Sequence, residues 1–175
     1  WKELSELKKK AEDNLTKDQI KKREMYERLV PSFEDTANWR PSKTNKRPNK
    51  TWFHFHVNEG TKGTSKKTKI FKAYVGLKNP VDSFTPERLA EFLDLLGKEG
   101  YNGQLKTVRD SLKPWSDQIV MHGQSRADAQ KAQDLAKTFF GDEINFEDFG
   151  YDLNKPSESY SQWLSQLIWD RKKIK

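Results

Sequence analysis

A chain of 175 residues is long enough for one domain, and an aromatic content of 12%, with six tryptophans, separates it from a disordered polyelectrolyte despite 34% charged residues. The absence of cysteine excludes disulfides and thiolate metal sites, and three histidines, of which only His54 and His56 are close, argue against structural zinc. No apolar run approaches the ~20 residues of a membrane span. The net charge of +7 and a pI near 9.4 favour an anionic partner: nucleic acid, a phosphorylated peptide or an acidic surface.

In chain order, residues 1–30 read as two helices. Leu4, Leu7 and Ala11 form a thin apolar stripe on the first. Thr16 with Gln19 has the form of a capping box, opening a second helix with Ile20, Met25, Leu29 and Val30 as its apolar side and Pro31 as its end. Residues 31–50 hold Pro31, Pro41 and Pro48 among Ser, Asn, Lys and Arg, the composition of an irregular, solvated connector whose cations are able to embrace an anion. The chain begins at Trp1 rather than Met and shows no signal peptide, so it reads as a trimmed piece, cytoplasmic or secreted into a host cell.

From Thr51 to Val57 the sequence alternates, with Trp52, His54 and His56 on one face and Phe53, Phe55 and Val57 on the core face. A Gly- and Lys-bearing hairpin loop leads into a second strand, Lys69–Leu77. Thr85 then caps a helix with Pro86 in its first position, and Leu89, Phe92, Leu93 and Leu96 make its buried stripe. A strand over Gly103–Arg109 follows, with Leu105, Thr107 and Arg109 on one face and Lys106 and Val108 on the other. The next strand is Asp117–His122. Ser125, three residues before Asp128, starts a helix whose core side is Ala129, Ala132, Leu135, Ala136, Phe139 and Phe140, ended by Gly141. Ile144–Pro156 reads as an irregular acidic and aromatic lid, and a last helix from about Ser159 buries Tyr160, Trp163, Leu164, Leu167 and Ile168. The expected fold is α+β: a small antiparallel or mixed sheet of about four strands with helices on one face, residues 51–175. A helical arm with a basic connector precedes it over 1–50.

No triad, Walker loop or zinc-protease spacing is present. What stands out is a set of cations and histidines on strands: Lys72, Lys106, Arg109 and His122, with His54 and His56 on the adjoining strand and Lys78 at the strand end. Arg and Lys neutralise phosphate, and His exchanges a proton near pH 7. A lysine amine among other cations is able to serve as a base.

The order of Ile70-Phe71-Lys72-Ala73-Tyr74-Val75, the Thr85 helix, Leu105-Lys106-Thr107, Gln118-Ile119-Val120-Met121-His122 and Ser159-Tyr160-Ser161 resembles the phosphothreonine lyases. These are type III effectors that remove phosphate from phosphothreonine by β-elimination; Hop-type effector domains and the lyase domains of some lanthipeptide synthetases share the layout. The resemblance spans roughly residues 51–170. It implies a carbon–oxygen lyase acting on a phosphorylated peptide or protein, with no metal or cofactor. Lys106 falls on the family's base, and Lys72 falls where the family has its acid, a histidine. His122 stands where a tyrosine meets the phosphate, and Ser161 and Trp163 occupy the neighbourhood of the family's arginine. His54 or His56 is then the substitute acid, with His122, Arg109 and Lys78 binding substrate. Two other readings compete: a basic nucleic-acid-binding module, and a non-catalytic interaction domain of a larger effector or phage protein.

Overall fold

The computed structural model describes residues 2–48, 50–60, 71–110 and 118–151. The chain opens with helices α1 (Lys2–Asp13) and α2 (Lys17–Leu29). The capping box at α2 is complete: Thr16 Oγ1 accepts from the Gln19 N–H, and the Gln19 side chain accepts from the Thr16 N–H. Its buried residue is Tyr26, with Val30 just beyond its end, whereas Met25 is 41% exposed. The expected apolar side was rotated because Tyr26 is amphipathic: its ring packs edge-on to Phe53 at 5.9 Å, and its hydroxyl pairs with Thr107 at 2.8 Å.

Six strands follow: β1 (Trp39–Pro41), β2 (Trp52–Val57), β3 (Phe71–Leu77), β4 (Gly103–Val108), β5 (Ile119–Gly123) and β6 (Ile144–Tyr151). They form one sheet in the order β1-β2-β4-β5-β3-β6, with every pairing antiparallel. This is the expected α+β class, with six strands where about four were expected. Both additional strands are edges whose composition masks them. β1 carries Pro41, which an edge tolerates, and lies inside the stretch read as a connector. β6 lies where an irregular lid was expected, because Glu147 and Asp148 interrupt its aromatics; it pairs with β3 from Phe71–Tyr151 to Leu77–Ile144.

Three helices complete the described fold: α3 (Pro80–Ser83), α4 (Pro86–Lys98) and α5 (Arg126–Phe140). Thr85 and Ser125 cap α4 and α5 through their hydroxyls, and Gly141, at a φ of 51°, ends α5. α5 packs on β3 and β5 while α4 packs on β1 and β2, so the helices cover one face of the sheet. Between them lies the core: Phe53, Phe55, Leu105, Ile119, Met121 and Val75 from the sheet against Leu89, Phe92, Leu93, Leu96 and Phe140. Full burial of each such side chain contributes ~2 kcal/mol. The first fifty residues add Tyr26, Val30 and Trp39 to the same core, and Trp39 Nε1 donates to Asp94 at 2.7 Å.

The expected hairpin loop beyond Gly60, the start of the second strand at Lys69 and Ile70, Asp117, and the last helix with Tyr160, Ser161 and Trp163 lie outside the described residues. No helix among the described residues is long and apolar enough to cross a membrane.

Candidate functional site

Strand residues alternate between faces, so the positions that turn away from the helices share a second face. Cross-strand register arranges them in rows. Trp52 stands opposite Val108. In the next row His54 is opposite Lys106, Lys106 opposite Val120, and Val120 opposite Tyr74. In the third, His56 is opposite Gln104, and His122 is opposite Lys72. Neighbouring strands lie ~4.8 Å apart, so each opposed pair is within side-chain reach. Lys72, Lys106, His54 and His122 therefore share one face of one sheet.

Lys106 Nζ sits 4.4 Å from the centre of the Trp52 ring, in cation–π contact. The Gln104 amide approaches His54 Nδ1 at 3.4 Å; with its N–H donating, the neutral ring keeps its proton on Nε2. His56 is held differently. Its Nδ1–H donates to the Gly60 carbonyl at 3.0 Å, and Gly60, at a φ of 58°, approaches so closely that a Cβ there would lie 2.6 Å from His56 Cβ.

Burial decides whether this is a solvated face. Lys72 is 7% exposed, His122 3%, Gln104 8% and Gln118 1%. Charged and amide side chains rarely go this deep without a reason. Among the described residues, Gln104 Oε1 and both ends of the Gln118 amide have no hydrogen-bond partner, which native interiors seldom allow. The face is a part-buried polar niche: Lys72, His122, Gln104 and Gln118 are buried, Trp52, His54, His56 and Lys106 are half-buried, and the apolar pair Tyr74 and Val120 lies between them. Its floor is fixed at His122, whose carbonyl accepts from the Tyr101 hydroxyl at 2.6 Å; burial pushes that phenol well above its ordinary value.

Two expected substrate-binding residues stand apart. Arg109 follows the end of β4 and takes the helix-side parity. Its guanidinium covers the Phe53 ring at 4.3 Å and donates to the carbonyls of Asn45, Arg47 and Lys50 at 2.9, 2.8 and 2.6 Å. Burial lowers it from its ordinary value, opposed by the charge of Glu27. Lys78 is exposed beyond the irregularity at Gly76/Leu77, and its backbone N–H donates to Glu143. Gln104, Gln118, Tyr74 and Trp52 also belong to this face, though none was among the expected site residues. Their signal was parity alone: Trp52, Tyr74 and Gln104 each sit two residues from a histidine or lysine on their own strand, and Gln118, just before β5, sits four from His122.

Among the described residues, no three His, Asp or Glu are grouped to hold a metal ion. No family model and no curated protein sequence matches the chain. Solved structures do. An effector protein from Pseudomonas syringae pv. syringae strain 61 superposes with a TM-score of 0.58 at 15% identity, over 91% of this chain and 72% of that one. One from Pseudomonas syringae pv. tomato strain DC3000 gives 0.59 at 10% identity, over 89% and 71%. The likeness is one of fold: this chain is similar in architecture to bacterial effector proteins.

Proposed function

We propose that the niche is a phosphate-handling site of the phosphothreonine-lyase kind, acting on a phosphorylated peptide by β-elimination. The observation that carries this reading is the direct cross-strand pair of half-buried His54 and Lys106, on the same sheet face as the buried pair Lys72 and His122. An elimination needs a base at Cα and an acid at the departing oxygen, close together and on rigid elements.

Lys106 Nζ takes the α-proton, and the C–H electron pair becomes the Cα=Cβ bond. The Cβ–O bond breaks with its electrons on phosphate, whose bridging oxygen receives a proton. The Trp52 ring favours the ammonium that abstraction leaves on Lys106. His54 is the best placed of the candidate acids: it faces Lys106, whereas His56 is tied to Gly60 and Lys72 lies on β3. Lys72 and His122 are suited to hold phosphate charge. The reaction consumes no oxidant or reductant, and its balance closes with one proton taken and one given.

The nucleic-acid reading draws less support. Phe53, Phe55 and Phe92 are in the core, and the face of Trp52 is taken by Lys106. The test is release of inorganic phosphate from a phosphothreonine peptide. Wild type should release it, and Lys106→Ala should abolish release with unchanged circular dichroism. Undiminished release in that variant removes Lys106 from the mechanism.

A further inference from the structure

The cations of the basic stretch ahead of β2 are used neither by the core nor by the proposed chemistry. From Thr36 to Asn58 the chain carries Arg40, Lys43, Lys46, Arg47 and Lys50 and no acidic residue. Arg40 is engaged with the Asn58 carbonyl at 2.9 Å. Lys43, Lys46, Arg47 and Lys50 are exposed, and among the described residues none of the four makes an ion pair.

Like charges so close in sequence repel, and a loose segment would spread them apart. This one is fastened. Lys43–Lys46 form a 3-10 turn capped by the Ser42 hydroxyl. The Asn45 amide bonds both the N–H and the carbonyl of His54, at 2.8 and 2.9 Å. Arg109 holds the carbonyls of Asn45, Arg47 and Lys50 and adds its own positive charge beside the loop. Lys46 and Arg47 follow Asn45 directly, so their Cα atoms lie within roughly 4 and 8 Å of the residue bonded to His54. A cationic loop held rigid pays little ordering entropy on binding an anionic ligand.

We propose that Lys43, Lys46, Arg47 and Lys50 form a docking surface for an acidic peptide segment, the Asp-, Glu- or phosphate-bearing stretch that flanks the phosphothreonine. The inference rests on the proposed lyase-type site only for what it places beside the loop. A peptide is favoured over nucleic acid because sequence-tolerant binding of single strands needs aromatic stacking platforms. The loop sequence from Lys43 to Lys50 contains no aromatic residue to serve as one.

The experiment is fluorescence anisotropy with a labelled, non-phosphorylated Asp/Glu-rich peptide. A neutral peptide of the same length and a single-stranded oligonucleotide of the same charge serve as comparisons. The acidic peptide should bind, and more weakly as salt screens the loop. The neutral peptide should not bind, and the oligonucleotide should bind at least about tenfold more weakly than the acidic one. Changing Lys43, Lys46, Arg47 and Lys50 together to Ser should weaken acidic-peptide binding about tenfold. Should that variant unfold, K46S/R47S carries the test, with about a threefold loss. Lys106→Ala should keep acidic-peptide affinity within about twofold while losing phosphate release, so failure of the loop and failure of the lyase reading give different results. Equal affinity in wild type and loop variants, or an oligonucleotide bound as tightly as the acidic peptide, overturns the proposal.

Discussion

The side-chain amide of Asn45 pairs with both backbone groups of His54, accepting from its N–H at 2.8 Å and donating to its carbonyl at 2.9 Å. One side chain thus stands in for a strand partner at the outer edge of β2, where β1 pairs only as far as Phe55. Asn45 is 1% exposed, so water has no ready access to replace it. Asn45→Leu should cost about 2–3 kcal/mol, since it leaves the His54 N–H unpaired and weakens the bonding of its carbonyl. Asn45→Asp, which keeps an acceptor for that N–H, should cost less than Asn45→Leu. Urea unfolding checks both, through a lower midpoint at unchanged slope. A loss below about 0.5 kcal/mol in the leucine variant would show that the amide does not hold the edge.

The second prediction concerns alkaline pH. Tyr26 and Tyr101 are fully buried, and burial raises both phenols above the ordinary value of 10.0, with hydrogen bonds to Thr107 and to the His122 carbonyl acting the other way. Unfolding releases each phenol to titrate near 10, so above that pH the unfolded chain binds fewer protons than the folded one. Stability is therefore complete below pH 10 and falls as pH rises beyond it. The slope approaches about 1.4 kcal/mol per pH unit for each tyrosine. Urea midpoints between pH 9 and 11 should show this decline. Tyr26→Phe should flatten it by about half while costing about 1 kcal/mol at pH 7 for the lost pairing with Thr107. A midpoint indifferent to pH over that interval would contradict the burial of both phenols.

How much of this was legible beforehand depends on whether the signal was local. The α4 stripe and its Thr85 cap, the α5 helix and the alternation of Phe53, Phe55 and Val57 are written in neighbouring residues, and they hold in the structure. The pairing of His54 with Lys106 is not local. It joins β2 to β4 across the intervening β3 and α4, and register over that distance is set by the shared core rather than by any spacing in sequence. Arg109 is the opposite case. It alternates with Lys106 as a strand residue does, so parity already put it on the other face, yet its positive charge drew it into the proposed site. β1 and β6 escaped notice because edge strands are short or charged, and such features weaken the strand signal.

Gly103 gives the third prediction. A Cβ there would fall 2.1 Å from the His122 carbonyl oxygen and 2.4 Å from the Tyr101 hydroxyl. Both are fixed, the first by the sheet and the second by its own bond to that carbonyl. Gly103→Ala should therefore cost about 2–4 kcal/mol, because β5 must move at His122 rather than a flexible side-chain end. Thermal unfolding measures the cost. The same variant should broaden or shift the His122 ring resonances, and an alanine accepted without either change would refute the close approach.

On the proposed mechanism, His54 protonates the departing phosphate while Lys106 takes the α-proton, and the two roles separate by choice of leaving group. His54→Gln should slow phosphate release from a phosphothreonine peptide about 10²- to 10⁴-fold, the usual worth of one general acid. A peptide carrying β-chloroalanine at the same position loses chloride, which departs without a proton. His54→Gln should leave that elimination within a few-fold of wild type, and Lys106→Ala should abolish it. Steady-state rates of both variants on both peptides complete the comparison. If His54→Gln slows both eliminations equally, His54 is not the acid. The role would then pass to Lys72, whose own variant should show the selective loss.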